Sequence, residues 1–271
     1  MTHSVVLVGC GNMGFAMLSG WVSKDPTLTV HVVEPADQLR KRAADAGAKG
    51  VSHVDELPAD LRPELVVLAV KPQMIASVLE RCGALAKSGA TFVSVAAGVS
   101  IARMMEVLPP GTPVIRSMPN TPVAVGEGMM ALCAGENVPD DVRNLTESLF
   151  SVSGAVAWID DERLMDAVTA ISGSGPAYVF HFIEALTAAG AALGLPEKVA
   201  EVMATQTVAG AGKMALTLET SAGVLREQVT SPGGTTAAAL KVFMEENRLS
   251  DLVLKATTAA RDRGVELGRN S

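Results

Sequence analysis

Ser4-Val5-Val6-Leu7-Val8-Gly9-Cys10-Gly11-Asn12-Met13-Gly14 decides how the first half of this chain folds. Ser4 and four apolar, mostly β-branched positions read as a buried strand, and they run straight into G-x-G-x-x-G. Phe15, Met17, Leu18, Trp21 and Val22 then recur at helical spacing. Strand, glycine turn and helix stand in the order a dinucleotide site needs. Gly9 permits the tight turn, Gly11 lets the backbone approach a pyrophosphate, and Gly14 allows close helix–strand packing. A second strand over Leu28–Val33 ends at Glu34, an acidic side chain placed to accept hydrogen bonds from an adenosine ribose.

The pattern repeats downstream. A helix over Gln38–Ala46 is followed by a strand over Leu65–Val70, which ends at Lys71-Pro72. A helix over Gln73–Lys87 leads to a strand over Thr91–Val95 and the turn Ala96-Ala97-Gly98. A helix over Ile101–Leu108 leads to Val114–Ser117 and Met118-Pro119-Asn120-Thr121-Pro122. Two further strands (Met129–Ala134 and Ala155–Ile159) flank a helix over Asp140–Phe150 and complete the sheet. This alternation predicts an α/β Rossmann domain with a doubly wound, mostly parallel sheet over residues 1–160. Ligands of such sheets bind beyond the carboxyl ends of the strands. Gly9–Gly14, Ala69–Pro72, Ala96–Gly98 and Asn120 are therefore the candidate cofactor residues.

After Asp160 the texture changes. Alanine-rich helical runs take over, with start signals at Asp160-Asp161-Glu162, Ser174-Gly175-Pro176, Pro196, Ser221 and Ser250-Asp251. Residues 161–271 read as an all-α domain. Ala185–Leu193 and Val199–Met214 are apolar on most faces, the mark of helices buried in a large core or between subunits. One small domain cannot bury them all, which predicts a homodimer through this domain.

Within it lies Val229-Thr230-Ser231-Pro232-Gly233-Gly234-Thr235-Thr236, followed by a helix-forming run. The turn, two glycines and a helix start make an anion site for a small carboxylate. The motif offers hydroxyls but no His, Lys or Tyr. A hydroxyl is a poor acid for an alkoxide, whereas an imine nitrogen needs only a hydrogen-bond partner, so the chemistry points to C=N rather than C=O reduction.

Composition closes other routes. A net charge of −7 and 3% aromatic residues argue against nucleic-acid and anionic-membrane partners. No run is long and apolar enough to span a bilayer, and the N-terminal apolar stretch lacks the basic flank of a signal peptide. Cys10, Cys82 and Cys133 are far apart and odd in number, which fits a reducing, cytoplasmic setting. Four scattered histidines lack metal-ligand spacing, so no metal site is expected.

As a whole the chain resembles the pyrroline-5-carboxylate reductase family. The resemblance runs through Gly9–Gly14, Ala69–Pro72, Ala96–Gly98, Arg116–Pro122, Ser172-Gly173-Ser174-Gly175-Pro176-Ala177-Tyr178 and, most specifically, Val229–Thr236. It implies reduction of 1-pyrroline-5-carboxylate to L-proline with NADP(H) or NAD(H), and a helical dimerisation domain, often assembled into a ring of five dimers. It also implies roles. Thr236 bonds the imine nitrogen, Ser174 lies near the nicotinamide, Ser231, Gly233, Gly234 and Thr235 cradle the carboxylate, and Glu219 lies near the substrate. Val70, Lys71 and Pro72, with Ala96 to Gly98, match cofactor-contacting strand ends. Two departures push toward NADH: Glu34 stands where NADPH users often carry a small polar residue, and Asp55-Glu56 where the family often has asparagine. Arg40 and Lys41 remain candidates for a phosphate. Two rivals stay open. A β-hydroxyacid dehydrogenase would need a lysine in the first helix of the second domain, and Leu164–Leu193 has none. A non-catalytic nucleotide-binding module would not need the Ser231–Thr236 loop.

Overall fold

The computed structural model describes residues 3–269. The chain divides into two compact units. One runs up to Ser174 and also takes the chain from Ala260 onward, and the other is Gly175–Ala259. The division falls after the expected boundary at 160 because residues 162–174 pack on the sheet. Met165 is buried with Ala131 and Cys133, and Glu162 pairs with Arg116.

The first unit is one eight-stranded sheet: β1 (Ser4–Val8), β2 (Thr29–Val33), β3 (Lys49–Val51), β4 (Leu65–Leu68), β5 (Thr91–Ser94), β6 (Val114–Met118), β7 (Gly128–Ala134) and β8 (Gly154–Trp158). Their spatial order is β3-β2-β1-β4-β5-β6-β7-β8. All neighbours are parallel except β6 and β7. β1 lies between β2 and β4, third from one edge, where Val6 pairs with His31 on one side and Val66 on the other. The strands read as continuous apolar runs because both faces are covered. Val5 and Leu7 join Met17, Leu18, Trp21 and Phe150 on one face. Val6 and Val8 join Leu79, Phe92 and Met104 on the other. The strand order reverses between β1 and β4, which is where such a sheet opens a ligand crevice.

The covering helices are α1 (Asn12–Lys24), α2 (Asp37–Asp45), α3 (Ile75–Arg81), α4 (Gly83–Lys87), α5 (Ile101–Met105), α6 (Asp140–Phe150) and α7 (Met165–Val168). The single helix expected over Gln73–Lys87 is instead a short 3-10 turn at Pro72–Met74 followed by α3 and α4. Cys82, with ψ near zero, is drawn into the core at the break, and Gly83 favours helix weakly. Burial pushes the Cys82 thiol up to about 12. β3 had no counterpart in the sequence reading. It is a three-residue edge strand, more exposed than its neighbours, and carries no apolar signal.

The second unit is helical: α8 (Gly175–Ala192), α9 (Glu197–Thr217), α10 (Ala222–Gln228), α11 (Thr235–Met244) and the first part of α12 (Arg248–Arg269). α8 and α9 pack closely, since a Cβ on Gly190 would sit 3.0 Å from that of Ala200. Ser221 caps α10 as expected by accepting the Val224 N–H. Ser250-Asp251 does not start the last helix. Glu246 and Asn247 take left-handed φ of 53° and 56°, turn the chain, and let α12 begin at Arg248.

Candidate active site

The glycine loop is held from three sides. Gly9 has φ of 90°, and a Cβ on it would meet the Ala69 oxygen at 2.6 Å. A Cβ on Gly14 would run into the Gly9 carbonyl oxygen. Around Gly11, in contrast, a Cβ would meet nothing within 4 Å. Gly9 and Gly14 serve packing, while Gly11 faces open space in which a ligand can approach. α1 begins there without a side-chain cap, and Phe15 N–H already bonds the Gly11 oxygen. Among the described residues nothing claims the N–H groups of Asn12 and Met13, which leaves them for an anion at the positive end of the helix. These residues fit a dinucleotide pyrophosphate.

Glu34 is buried, and its carboxylate is tied into the loop. Oε2 accepts the Cys10 N–H at 2.8 Å and Oε1 accepts the Ala36 N–H at 3.0 Å. Cys10 therefore spends its own N–H on Glu34, and its thiol lies in the core with its pKa raised chiefly by burial. Arg42, which the sequence reading passed over, closes the loop from the far side. Its Nη2 donates to the Cys10 oxygen at 2.9 Å, and its guanidinium stacks 3.9 Å from the Phe15 ring centre. Arg40 is occupied by the Glu34 and Pro35 carbonyls and by Asp37, and Lys41 does not line the crevice.

A cavity of about 500 Å³ opens at the switch point. Gly9, Gly11, Glu34, Ala69, Val70 and Lys71, all named from the sequence, line it. Ser52, His53, Ser77 and Arg81 line it too and were missed. Ser52 and His53 follow β3, and Ser77 and Arg81 project from α3, so only the tertiary fold brings them to the nucleotide side. Ala96–Gly98 and Asn120 are not in its lining. Ala96 is buried and Gly98 has φ of 77° and lies against Gly268.

Toward the second unit the chain carries Ser174. Its N–H donates to the Thr169 oxygen at 2.8 Å, closing a π-helical turn over Thr169–Gly173, and its hydroxyl has no partner among the described residues.

Within the helical unit, Ser231–Gly234 forms a tight turn in which Gly234 N–H bonds the Ser231 oxygen at 3.0 Å and Gly233 has φ of 72°. α11 then starts without a side-chain cap. Its first-turn N–H groups and the hydroxyls of Thr235 and Thr236 are unclaimed among the described residues, which suits an anion and a hydrogen-bond acceptor side by side. Glu219 lies exposed in the bend between α9 and α10.

Known proteins match both parts of the chain. The family described as "Pyrroline-5-carboxylate reductase dimerisation" matches residues 162–267, and "NADP oxidoreductase coenzyme F420-dependent" matches residues 4–98. The pyrroline-5-carboxylate reductase of Pseudomonas aeruginosa is 38% identical over 268 residues, covering 98% of this chain and 97% of its own. This chain belongs to the pyrroline-5-carboxylate reductase family. The Haemophilus influenzae relative is 36% identical, with 98% of each chain covered. A pyrroline-5-carboxylate reductase structure from Coxiella burnetii superposes with a TM-score of 0.92 at 37% identity, covering 98% of this chain and 99% of that one. The Plasmodium falciparum pyrroline carboxylate reductase, solved with NADP bound, gives 0.81 at 29% identity, with 98% of each chain covered.

Proposed function

We propose that this chain reduces 1-pyrroline-5-carboxylate to L-proline, using NADPH or NADH. The observation that carries the reading is the start of α11, which offers anion-binding amides and two unpartnered hydroxyls but no strong acid or base. A carboxylate seats on the N–H groups of Gly233, Gly234 and Thr235, with Ser231 shaping the turn. Thr236 then hydrogen-bonds the ring nitrogen, and Glu219 supplies negative charge near the substrate. The glycine loop, Glu34 and the Ala69–Pro72 and Ala96–Gly98 strand ends hold the nucleotide, and Ser174 stands by the nicotinamide.

When bound, the reduced nicotinamide supplies a hydride. Delivered to C5 of the protonated imine, that hydride would move the C=N π pair onto nitrogen and give a secondary amine. Thr236 keeps the nitrogen oriented through this change. Position and a preorganised anion site supply most of the rate, so no side chain has to protonate a strongly basic oxygen.

Assembly as a homodimer through the helical unit belongs to the same proposal. Within one chain only Ala200 and Ala204 of that unit are buried, while Phe180, Phe182, Leu186, Met203 and Leu254 are exposed. Burying each such side chain is worth about 1.5–3 kcal/mol. A ring of five dimers rests on the family resemblance alone. The three unpaired, buried cysteines support a cytoplasmic setting.

The deciding experiment follows nicotinamide absorbance with racemic 1-pyrroline-5-carboxylate and each cofactor, with proline measured as product. Cofactor consumption matched by proline supports the reading. Cofactor binding without turnover would transfer the chain to another substrate or to a non-catalytic role.

A further inference from the structure

Asn120 uses both ends of its side chain inside the protein. Oδ1 accepts the Met129 N–H at 2.8 Å, and Nδ2 donates to the Ser172 carbonyl at 3.0 Å. The second bond has its reason in the sequence. A helical carbonyl at position 172 looks for its donor four residues on, and that residue is Pro176, which has no N–H. Asn120 supplies the missing donor. The backbone nearby is adjusted to match, because Thr169–Gly173 widens into a π turn closed by Ser174 N–H on the Thr169 oxygen. Such turns recur at functional sites. Gly173 sets the closeness of packing, since a Cβ there would lie 2.6 Å from Met118 Cε. The end of β6, the Asn120 turn and the π turn are thus fitted together, with the free Ser174 hydroxyl at the end of the assembly.

We propose that Asn120 is a positioning residue for imine reduction and acts through Ser174. It holds the Ser172 carbonyl so that the π turn presents the Ser174 hydroxyl, and its own side chain does not contact the cofactor. The inference rests on the proposed place of Ser174 beside the nicotinamide.

Asn120→Asp tests it, because the carboxylate keeps an acceptor for Met129 N–H and loses the donor to Ser172. In a variant folded by circular dichroism, amide exchange should quicken in peptides covering Thr169–Tyr178. The kcat should fall about tenfold or more while the NADPH Kd stays within about twofold. The Asn120→Asp/Ser174→Ala double variant should be no slower than Ser174→Ala alone, as expected for two residues on one route. If Asn120→Asp does not fold, the Asn120→Asp/Pro176→Ala variant regains an N–H for the Ser172 carbonyl and should bring exchange over Thr169–Tyr178 and kcat back toward wild type, and a folded double variant that stays slow would overturn the assignment. Additive losses, a Ser174→Ala variant as fast as the wild type, unchanged exchange, or an NADPH Kd weakened in step with kcat would each overturn the assignment. A wild-type protein inert toward 1-pyrroline-5-carboxylate would defeat the proposed function instead, and exchange together with NADPH affinity would still decide what Asn120 does.

Discussion

The carboxylate of Glu34 and the backbone N–H of Cys10 lie 2.8 Å apart, tying the end of β2 to the glycine loop. Glu34 therefore shapes the loop as well as presenting negative charge where an adenosine ribose would sit. The two roles separate by substitution. Glu34→Gln removes the charge but keeps one acceptor oxygen for the two N–H groups, so it should raise the NADPH-to-NADH ratio of kcat/KM by about tenfold or more and lower Tm less than loss of both acceptors does. Glu34→Ser should shift the ratio in the same direction and also leave the Cys10 and Ala36 N–H groups unpaired, at a cost of about 1–3 kcal/mol. Parallel kinetics and thermal melts check both, and an unchanged ratio in the two variants would remove Glu34 from cofactor selection.

The glycine loop allows a similar separation. Gly11 already has φ of −63° and open space around its would-be Cβ, so Gly11→Ala should fold normally and bind NADPH at least about tenfold more weakly. Gly14→Ala would press into the Gly9 carbonyl and should lower Tm in the absence of any ligand. Fluorescence titration and ligand-free melts give opposite orders for the two variants. Equal nucleotide affinity in Gly11→Ala and wild type would mean that the pyrophosphate lies elsewhere.

How much of this was legible beforehand follows from where each signal resides. β1, the glycine turn, α1 and α6 are written in local periodicity, so their reading needs no tertiary information. β3 is short and exposed, and Arg42 lies on a helix whose charged residues all look alike in one dimension. Its role appears only when α2 packs beside the glycine loop. Asn120 illustrates the opposite problem. Its place at a strand end marked it for the cofactor, and only the fold shows that Pro176 leaves a carbonyl for it to satisfy. The division at Ser174 was hidden because residues 162–174 are helical, like the unit that follows, yet pack on the sheet through Met165 and Glu162.

His31 makes stability depend on pH. It is buried on β2, Nδ1 lacks a partner among the described residues, and burial, followed by nearby Lys49, lowers its pKa. The folded state thus resists protonation that the unfolded chain accepts near its ordinary value of about 6.5. The neutral ring's contribution is complete above that value and is lost as pH falls through it toward the lowered one. His31→Val should remove this dependence, so its Tm should fall less than that of wild type between pH 7 and 5. Parallel slopes would show that His31 does not titrate in this window.

Phe182 is 47% exposed on α8, a helix with no buried residue in a single chain. If a second copy covers it, Phe182→Glu places a desolvated carboxylate in the interface, a penalty of several kcal/mol for each subunit. Sedimentation at micromolar concentration should then show a dimeric wild type and a monomeric variant, with NADPH affinity of the first unit retained. A variant that sediments like the wild type would place the interface on another face.

Thr236 offers the sharpest test of the chemistry. It lies at the start of α11, half-buried, with a hydroxyl that no group claims among the described residues. If that hydroxyl holds the imine nitrogen while the amides beside it hold the carboxylate, Thr236→Ala should lower kcat by about 10²-fold, the usual loss on removing one preorganised donor. The NADPH Kd should remain within about twofold, because the glycine loop is untouched. Thr236→Ser keeps a hydroxyl at the same place and should recover most of the loss, whereas Thr236→Val, similar in volume but without the hydroxyl, should not. Steady-state kinetics of the three variants separates hydrogen bonding from packing. Full activity in Thr236→Val would take the threonine out of the reaction and leave the α11 amides as the substrate's only hold on that loop.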